Sequence, residues 1–158
     1  MGLRRAPARG YAVGATMSTE SIRIDHQPSP DDLSALAEHL IAFNTSQVGS
    51  SNRRPLLVAA HDADDQLVAG LEAFTLWNWL FVAYLWVHET RRGEGLGTRL
   101  VRVAEQEGAR LGCTRVHLDT FSFQALDFYR KLGFRVFGSL EDYPPGHTRY
   151  FLRKDLQA

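Results

Sequence analysis

Cysteine is almost absent from this chain. Cys113 is the only one among 158 residues, so no intrachain disulfide can form, and such a chain suits a reducing cytoplasm. It follows Gly112 between a helical and a strand pattern, a place for a small buried residue rather than a nucleophile. Neither sign of charge is in excess: 18 basic and 18 acidic side chains cancel. That argues against nonspecific partnership with nucleic acid or an anionic membrane, both of which want a basic surplus. No apolar run approaches the roughly 20 residues that a membrane-spanning helix requires. The His, Asp and Glu positions lack metal-ligand spacing, so no metal is expected. Repeats and low-complexity segments are missing as well.

What is present is a globular composition, 44% apolar, sufficient for one domain with a sizeable core. That domain is expected over residues 21–158. The first sixteen residues carry arginine, no acidic residue and no apolar middle of the kind a secretory signal has. Gly2 behind Met1 is thin support for lipidation. A disordered lead-in over residues 1–20 is the expectation, with Met17 as an alternative start.

The most informative stretch is Tyr84 to Leu100, YLWVHETRRGEGLGTRL. An apolar strand runs out at Val87, and a polar turn delivers Arg91, Arg92, Gly93, Glu94, Gly95, Leu96 and Gly97. A helical pattern then begins. Glycines at alternate positions let backbone N–H groups converge without Cβ obstruction. They open a helix whose first N–H groups have no intrahelical partners and whose dipole is positive at that end. With two arginines just before it, the turn is built to receive a di-anionic phosphate. A dinucleotide-binding turn needs its glycines after a first strand, with an acid about twenty residues on. A P-loop needs Gly-Lys-Ser/Thr, where this chain has Gly97-Thr98. An ordinary strand-to-helix connection is the plainer alternative.

Elsewhere the patterns read as alternating short strands and helices. Ser21–His26 alternates like an edge strand. Ser29 caps a helix with Pro30 in its first turn, and Leu33, Leu36, Ala37, Leu40 and Ile41 form one stripe expected to be buried. Asn44–Arg54 breaks that pattern as a second short helix or a mobile loop. Leu56–Ala60 and Gln66–Leu76 form a hairpin around Asp62–Asp65, and Trp77-Asn78-Trp79 turns the chain into a fourth strand, Leu80–Val87. The helix after the glycines carries Leu96, Leu100, Val103, Ala104 and Leu111 on one face and stops at Gly112. Thr114–Thr120 (strand), Gln124–Leu132 (helix ended by Gly133), Phe134–Gly138 (strand), Glu141–Gly146 (loop) and Thr148–Arg153 (strand) complete the chain. The order predicts a mixed sheet with helices on both faces.

Two motifs carry a family resemblance. Arg92-x-x-Gly95-x-Gly97 resembles the acyl-CoA pyrophosphate loop of the GNAT acetyltransferases, and Ala125-x-x-Phe128-Tyr129-x-Lys131-x-Gly133-Phe134 resembles the second signature of that family. The resemblance spans roughly Pro30 to Leu156. It implies the acyl-CoA N-acyltransferase fold, an α/β (α+β) architecture with a mixed, mostly antiparallel sheet and helices on both faces. It also implies acetyl-CoA as donor, with direct transfer of the acetyl group to a primary amine in a ternary complex.

Such a reaction must anchor the donor's phosphates, polarise its carbonyl, deprotonate the acceptor and protonate the departing thiolate. The N–H groups of Gly93, Glu94, Gly95, Leu96, Gly97 and Thr98, with the charges of Arg91 and Arg92, are the expected anchor. By resemblance, the pantetheine arm lies where the fourth and fifth strands splay, against the main chain of Leu85, Trp86 and Val87. Tyr129 matches the signature tyrosine and is the expected acid; the alternative is that Phe128-Tyr129 is an amphipathic core pair. Ser122 stands where the family often has an asparagine that contacts the arm. Many relatives carry a carboxylate early in the fourth strand, where this chain has Trp79, Leu80 and Phe81, so Glu72 is the expected base, on condition that it faces the cleft. His117 and Asp119 sit on a strand beside the cleft, which can aim one of them inward. Glu89 is expected to be structural and His88 exposed.

Asn44, Trp77 and Trp79, with the Tyr143-Pro144-Pro145 loop, are expected to wall a pocket for a small amine, since indole faces attract cations and planar groups. Protein acetylation, or a degenerate domain that binds acyl-CoA as a sensor, are the alternatives. Relatives pair through sheet edges or C-terminal strands, and Arg149–Arg153 is the candidate surface for a homodimer.

Overall fold

The computed structural model describes residues 21–156, so the lead-in expected over residues 1–20 lies outside the described residues. The chain divides into two compact units, Met1–Ile41 and Ala42–Ala158, whose boundary falls inside the first helix, α1 (Pro30–Val48). The start of α1 is where its cap predicts. The Asp32 N–H donates to Ser29 Oγ at 3.0 Å, the Ser29 hydroxyl donates back to Asp32 Oδ2 at 2.8 Å, and Asp31 and Asp32 occupy the first turn.

Two expectations fail here. Ser21–His26 forms no strand, and Ile22 and Ile24 are exposed; alternation prepares two faces, but a strand exists only through a ladder of hydrogen bonds to a neighbour. Nor does α1 bury its stripe within its own unit: Leu33, Leu36, Ala37, Leu40 and Ile41 are exposed there. Helical periodicity marks a face fit for burial without supplying the surface that would bury it. The polar segment from Asn44 simply extends the helix to Val48.

The second unit is built on six strands: β1 (Arg54–His61), β2 (Leu67–Leu76), β3 (Trp79–Val87), β4 (Arg115–Phe121), β5 (Arg135–Glu141) and β6 (Thr148–Asp155). Between β3 and β4 run a single 3-10 turn, Glu89–Arg91, and helix α2 (Leu96–Arg110); α3 (Leu126–Lys131) follows β4. The sheet order is β1-β2-β3-β4-β6-β5, with every neighbouring pair antiparallel except β3 and β4. This is the mixed, mostly antiparallel α+β sheet that the order of patterns predicts. The strand expected as the fourth is β3, because Ser21–His26 does not join. Arg149–Arg153 is not an edge: β6 is hydrogen-bonded to β4 on one side and β5 on the other, so its backbone has nothing left to offer a second copy.

Leu71, Leu80, Val101, Val116, Leu118 and Leu152 are the largest fully buried side chains. The α2 stripe is rotated from the expected one: Leu96, Leu100, Val101, Ala104 and Gly108 are buried, Val103 is exposed and Leu111 only half-buried. The buried arc centres on Ala104, and Val103 lies about 100° away from it around the helix. Gly108 lets α2 pack tightly on the sheet; a Cβ there would stand 3.0 Å from Leu80 Cδ2. Cys113 belongs to this core, and burial pushes its thiol up, as befits a packing residue.

One irregularity positions everything that follows. Glu72 pairs with Tyr84 but Ala73 pairs with Val82, so Ala83 is an extra residue in β3. A bulge bends its strand and increases the twist. At the same point β3 leaves β4: their parallel pairing runs from Trp79↔Arg115 to Val82↔Leu118 and stops. Because β4 stays paired with β6 as far as Phe121↔Arg149, a gap opens through the sheet from Ala83 onward.

Candidate functional site

At the head of α2 lies a cavity of about 730 Å³. Its floor is the glycine-rich turn. Gly93 and Gly95 have φ of 83° and 78°, a region that L-residues with side chains enter at a cost. Gly97 is there for a different reason: a Cβ on it would meet Phe128 Cζ at 3.3 Å. Gly95 caps α2 without a side-chain hydrogen bond, and the first helical bond runs from the Arg99 N–H to the Gly95 carbonyl at 3.1 Å. The N–H groups of Leu96, Gly97 and Thr98 therefore lack intrahelical partners, and all three residues line the cavity. Arg91 and Arg92 line it as well. Arg91 Nε is held by Glu94 at 2.8 Å, and Arg92 Nε donates to the Val87 carbonyl at 3.2 Å. Glu94 itself lies outside the lining and acts on the site through Arg91.

The wall of this cavity is the free edge of β3. Leu85, Trp86 and Val87 are in register with β2 on one side, while the other edge of this stretch faces the gap, where β4 no longer pairs with it. Phe123, Gln124 and Ala125 from the loop after β4 complete the wall, together with Phe128 of α3.

A second cavity, of about 450 Å³, occupies the gap itself. It shares Leu85, Trp86, Gln124 and Ala125 with the first, so the two meet. Tyr129 lines it from the side of α3, with only 7% of its surface exposed. Its ring packs edge-on against Phe128 at 5.0 Å and Phe134 at 5.7 Å. Burial, with the negative charge of Asp119 adding to it, pushes the phenol up to about 12, so it stays protonated at any physiological pH.

Across the gap stands Asp119. On β4, Leu118 and Thr120 are buried while Asp119 alternates with them, which turns its carboxylate to the other face of the sheet. There it accepts from Arg149 Nε at 2.7 Å. This bond raises the Arg149 guanidinium above its ordinary value, so the arginine is a permanent cation. The guanidinium also lies 5.4 Å from the Phe121 ring and 5.5 Å from the Tyr143 ring. Tyr84 and Trp86, exposed on the same face of β3 as Asp119, bound the cavity there. The gap thus joins a phosphate-fitting turn and a phenol on one face to a carboxylate and aromatic rings on the other.

Not every candidate comes to this place. Glu72 is exposed on β2, opposite Tyr84, and lines neither cavity. Asn44 lies near the end of α1, half-buried, and lines neither. Trp77 and Trp79 sit at the β2–β3 turn, and five residues of strand separate Trp79 from Tyr84, about 17 Å at roughly 3.3 Å per residue. Neither indole lines either cavity; the bulge that opens the gap lies beyond Val82. Trp79 instead contacts Arg115 at 5.4 Å and His117 at 5.6 Å. His117 packs against Phe81 as well; burial lowers its pKa, with the Asp119 charge opposing, and it lines neither cavity. Of the two residues that β4 could have aimed inward, Asp119 is the one.

Ser122 is committed elsewhere: its Oγ accepts the Thr148 N–H at 3.2 Å and lies 3.2 Å from His147 Nδ1. Phe123 and Gln124 were not foreseen. Their signal was their place directly before Ala125, where the second signature begins. Tyr84 was also missed, although it alternates with Leu85 as an outward residue.

Among known proteins, the family model described as the acetyltransferase (GNAT) family matches residues 19–134. An acetyltransferase of Agrobacterium fabrum is 33% identical over 120 residues, covering 76% of this chain and 88% of the relative. Blasticidin-S acetyltransferase of Streptomyces morookaense is 42% identical over 107 residues, covering 65% of this chain and 79% of that enzyme. Among solved structures, an acetyltransferase from Bacillus cereus superposes with a TM-score of 0.78 at 27% identity, covering 85% of this chain and 98% of its own.

Proposed function

This chain belongs to the acetyltransferase (GNAT) family and is an acyltransferase; from that premise we propose that it moves the acetyl group of acetyl-CoA directly to the primary amine of a small molecule. The observation that carries the proposal is the meeting of two cavities at Leu85, Trp86, Gln124 and Ala125. One offers free helix N–H groups and arginines, the other a protonated phenol and a carboxylate.

The residues present fit the donor. The unpartnered N–H groups at the head of α2, with Arg91 and Arg92, would take its pyrophosphate. The open edge of Leu85, Trp86 and Val87 would take its arm and offer an N–H to the thioester carbonyl. When bound, acetyl-CoA supplies an acetyl thioester whose leaving group is a thiolate. Tyr129 is the acid: a phenol held near 12 has a proton to give, and it stands at the gap rather than in bulk water. On the far face a carboxylate accepts the proton that the acceptor's ammonium must lose before attack. Asp119 takes precedence over Glu72 in that role, because it lines the same cavity as Tyr129.

Donor and acceptor reach the gap from opposite faces of the sheet, which supports direct transfer in a ternary complex. The name of the relative from Streptomyces morookaense, a blasticidin-S acetyltransferase, supports a small-molecule acceptor, as do the aromatic side chains beside Asp119. The lone cysteine suits a cytoplasmic setting. A homodimer would pair through β1 or β5, the two ends of the sheet.

Calorimetry with acetyl-CoA, together with thiol release over a panel of amines, tests the proposal. Expected are binding by the wild type, loss of binding on Arg92→Ala combined with Gly95→Ala, and thiol release with at least one small amine. Binding without release across the panel would leave a sensor. Absence of binding would overturn the proposal entirely.

A further inference from the structure

We propose that Gln124 holds the pantetheine arm of the donor through its side-chain NH2, in place of the asparagine that the family pattern has at position 122. This assignment rests on acetyl-CoA being the donor. It begins with the orientation of one carboxamide. The Phe121 N–H donates to Gln124 Oε1 at 3.0 Å, and the Thr120 hydroxyl donates to the same atom at 3.1 Å. A backbone N–H can only donate, so the atom it meets has to be the carbonyl oxygen. Thr120 is itself buried, which steadies the second bond. The amide is thereby fixed with its oxygen toward the end of β4 and its NH2 pointing away.

Gln124 is exposed, and among the described residues none accepts from that NH2, which is free to meet water or a ligand. Its surroundings are the junction of the two cavities, since Gln124 is one of only four residues lining both. Leu85 and Trp86 line the same junction, on the stretch of β3 that no longer pairs with β4. A chain carrying secondary amides, passing from the glycine-rich turn to Tyr129, would run between a backbone edge and a preset carboxamide donor. One of its amide carbonyls would satisfy the Gln124 NH2. Ser122 is not placed to do the same: it lines neither cavity, its Oγ accepts the Thr148 N–H and lies 3.2 Å from His147 Nδ1, and its own N–H donates to the Thr148 carbonyl at 2.8 Å. The carboxamide has moved two residues along the loop, to the position next to Ala125.

Gln124→Glu separates this role from a structural one. The glutamate keeps an oxygen for Phe121 and Thr120 and replaces only the NH2 donor. Calorimetry on the purified protein should show acetyl-CoA binding weakened about tenfold, the loss expected when an amide-to-carbonyl hydrogen bond gives way to a carboxylate facing that carbonyl. The melting temperature should stay within about 2 °C of wild type, since both bonds to the loop survive. Adenosine 3′,5′-bisphosphate, which has no arm, should bind the variant as it binds wild type. Ser122→Ala should cost acetyl-CoA less than about twofold. Unchanged acetyl-CoA affinity in Gln124→Glu, with wild type binding normally, overturns the assignment and leaves the proposed function standing. So does an equal loss for the bisphosphate, which would mean that the new charge acts at a distance, and so does a larger loss in Ser122→Ala. A wild type that fails to bind acetyl-CoA overturns both the proposed function and this assignment.

Discussion

Replacing Tyr129 by phenylalanine removes one oxygen and leaves the ring where it packs, between Phe128 and Phe134. At pH 7 the fold should tolerate the change. If the phenol is the acid that meets the departing thiolate, turnover should fall by about 10²–10⁴ while acetyl-CoA affinity holds. A second effect tests the same oxygen without any substrate. A free tyrosine titrates near 10, and burial pushes this one up to about 12. The folded state therefore keeps its proton after the unfolded chain has released its own. Because the folded value is the raised one, the stability due to this group is intact below pH 10 and is lost as pH rises from 10 through 12. The full difference amounts to about 3 kcal/mol, of which about 1 kcal/mol is gone by pH 11. Phenylalanine has no proton to lose. Melting curves at pH 8 and pH 11 should show wild type dropping about 2–4 °C further than Tyr129→Phe. A Tyr129→Phe enzyme with turnover within about threefold of wild type would refute the catalytic role. Equal drops for the two proteins would refute the burial argument, since a phenol open to water would titrate as it does in the unfolded chain.

Gly95→Ala should cost about 1 kcal/mol of stability, because φ is 78° although no atom lies within 4 Å of the added Cβ; it should also weaken acetyl-CoA binding, and calorimetry with thermal melts reads both. Asp119→Asn should lower turnover at least about tenfold, whereas Glu72→Gln should change it less than about threefold; the reverse order would hand the base to Glu72. Trp77 holds φ of 51°, a conformation that asparagine adopts more readily than an aromatic residue. Trp77→Asn should therefore leave the acceptor KM unchanged and raise the melting temperature slightly, whereas a raised KM would return the indole to the acceptor site.

Much of this arrangement is legible in the sequence, and the division follows the range of the forces involved. The glycine-rich turn, the Ser29 cap and the stops at Gly112 and Gly133 are local: backbone sterics and orphan N–H groups act within one helical turn. Ser21–His26 and the α1 stripe failed for the opposite reason, since each needs a partner surface that no spacing encodes. Val103 failed by rotation: apolar residues on adjoining faces of α2 leave its orientation to the shape of the sheet. The acceptor side was the least legible part. Its placement depends on one extra residue, Ala83, in a run of apolar residues that carries no bulge signal. Trp77 and Trp79 were therefore chosen for their chemistry, while both stand outside the two cavities, Trp79 about 17 Å along the strand from Tyr84.

That bulge also decides where along β3 and β4 a carboxylate can reach the gap. Before Val82, β3 is paired with β4, and a carboxylate there would face a closed sheet in this chain. Past Val82 the strands part, and the nearest inward position on the facing strand is Asp119, one residue beyond the last pair, Val82↔Leu118. Arg149 then has two consequences for the site. Its bond at 2.7 Å fixes the Asp119 carboxylate in place, and its cation, ringed by Phe121, Tyr143 and Phe151, sets a positive charge beside that carboxylate. An acceptor bearing an anionic group close to its amine would match both charges at once. An amine that carries only positive charge would be drawn to Asp119 alone and repelled by Arg149. Comparing kcat/KM for matched amines with and without a neighbouring carboxylate, in wild type and in Arg149→Gln, isolates that effect. The preference for the carboxylate-bearing amine should shrink about tenfold in the variant, and a preference that survives the change would show that Arg149 serves only to hold Asp119.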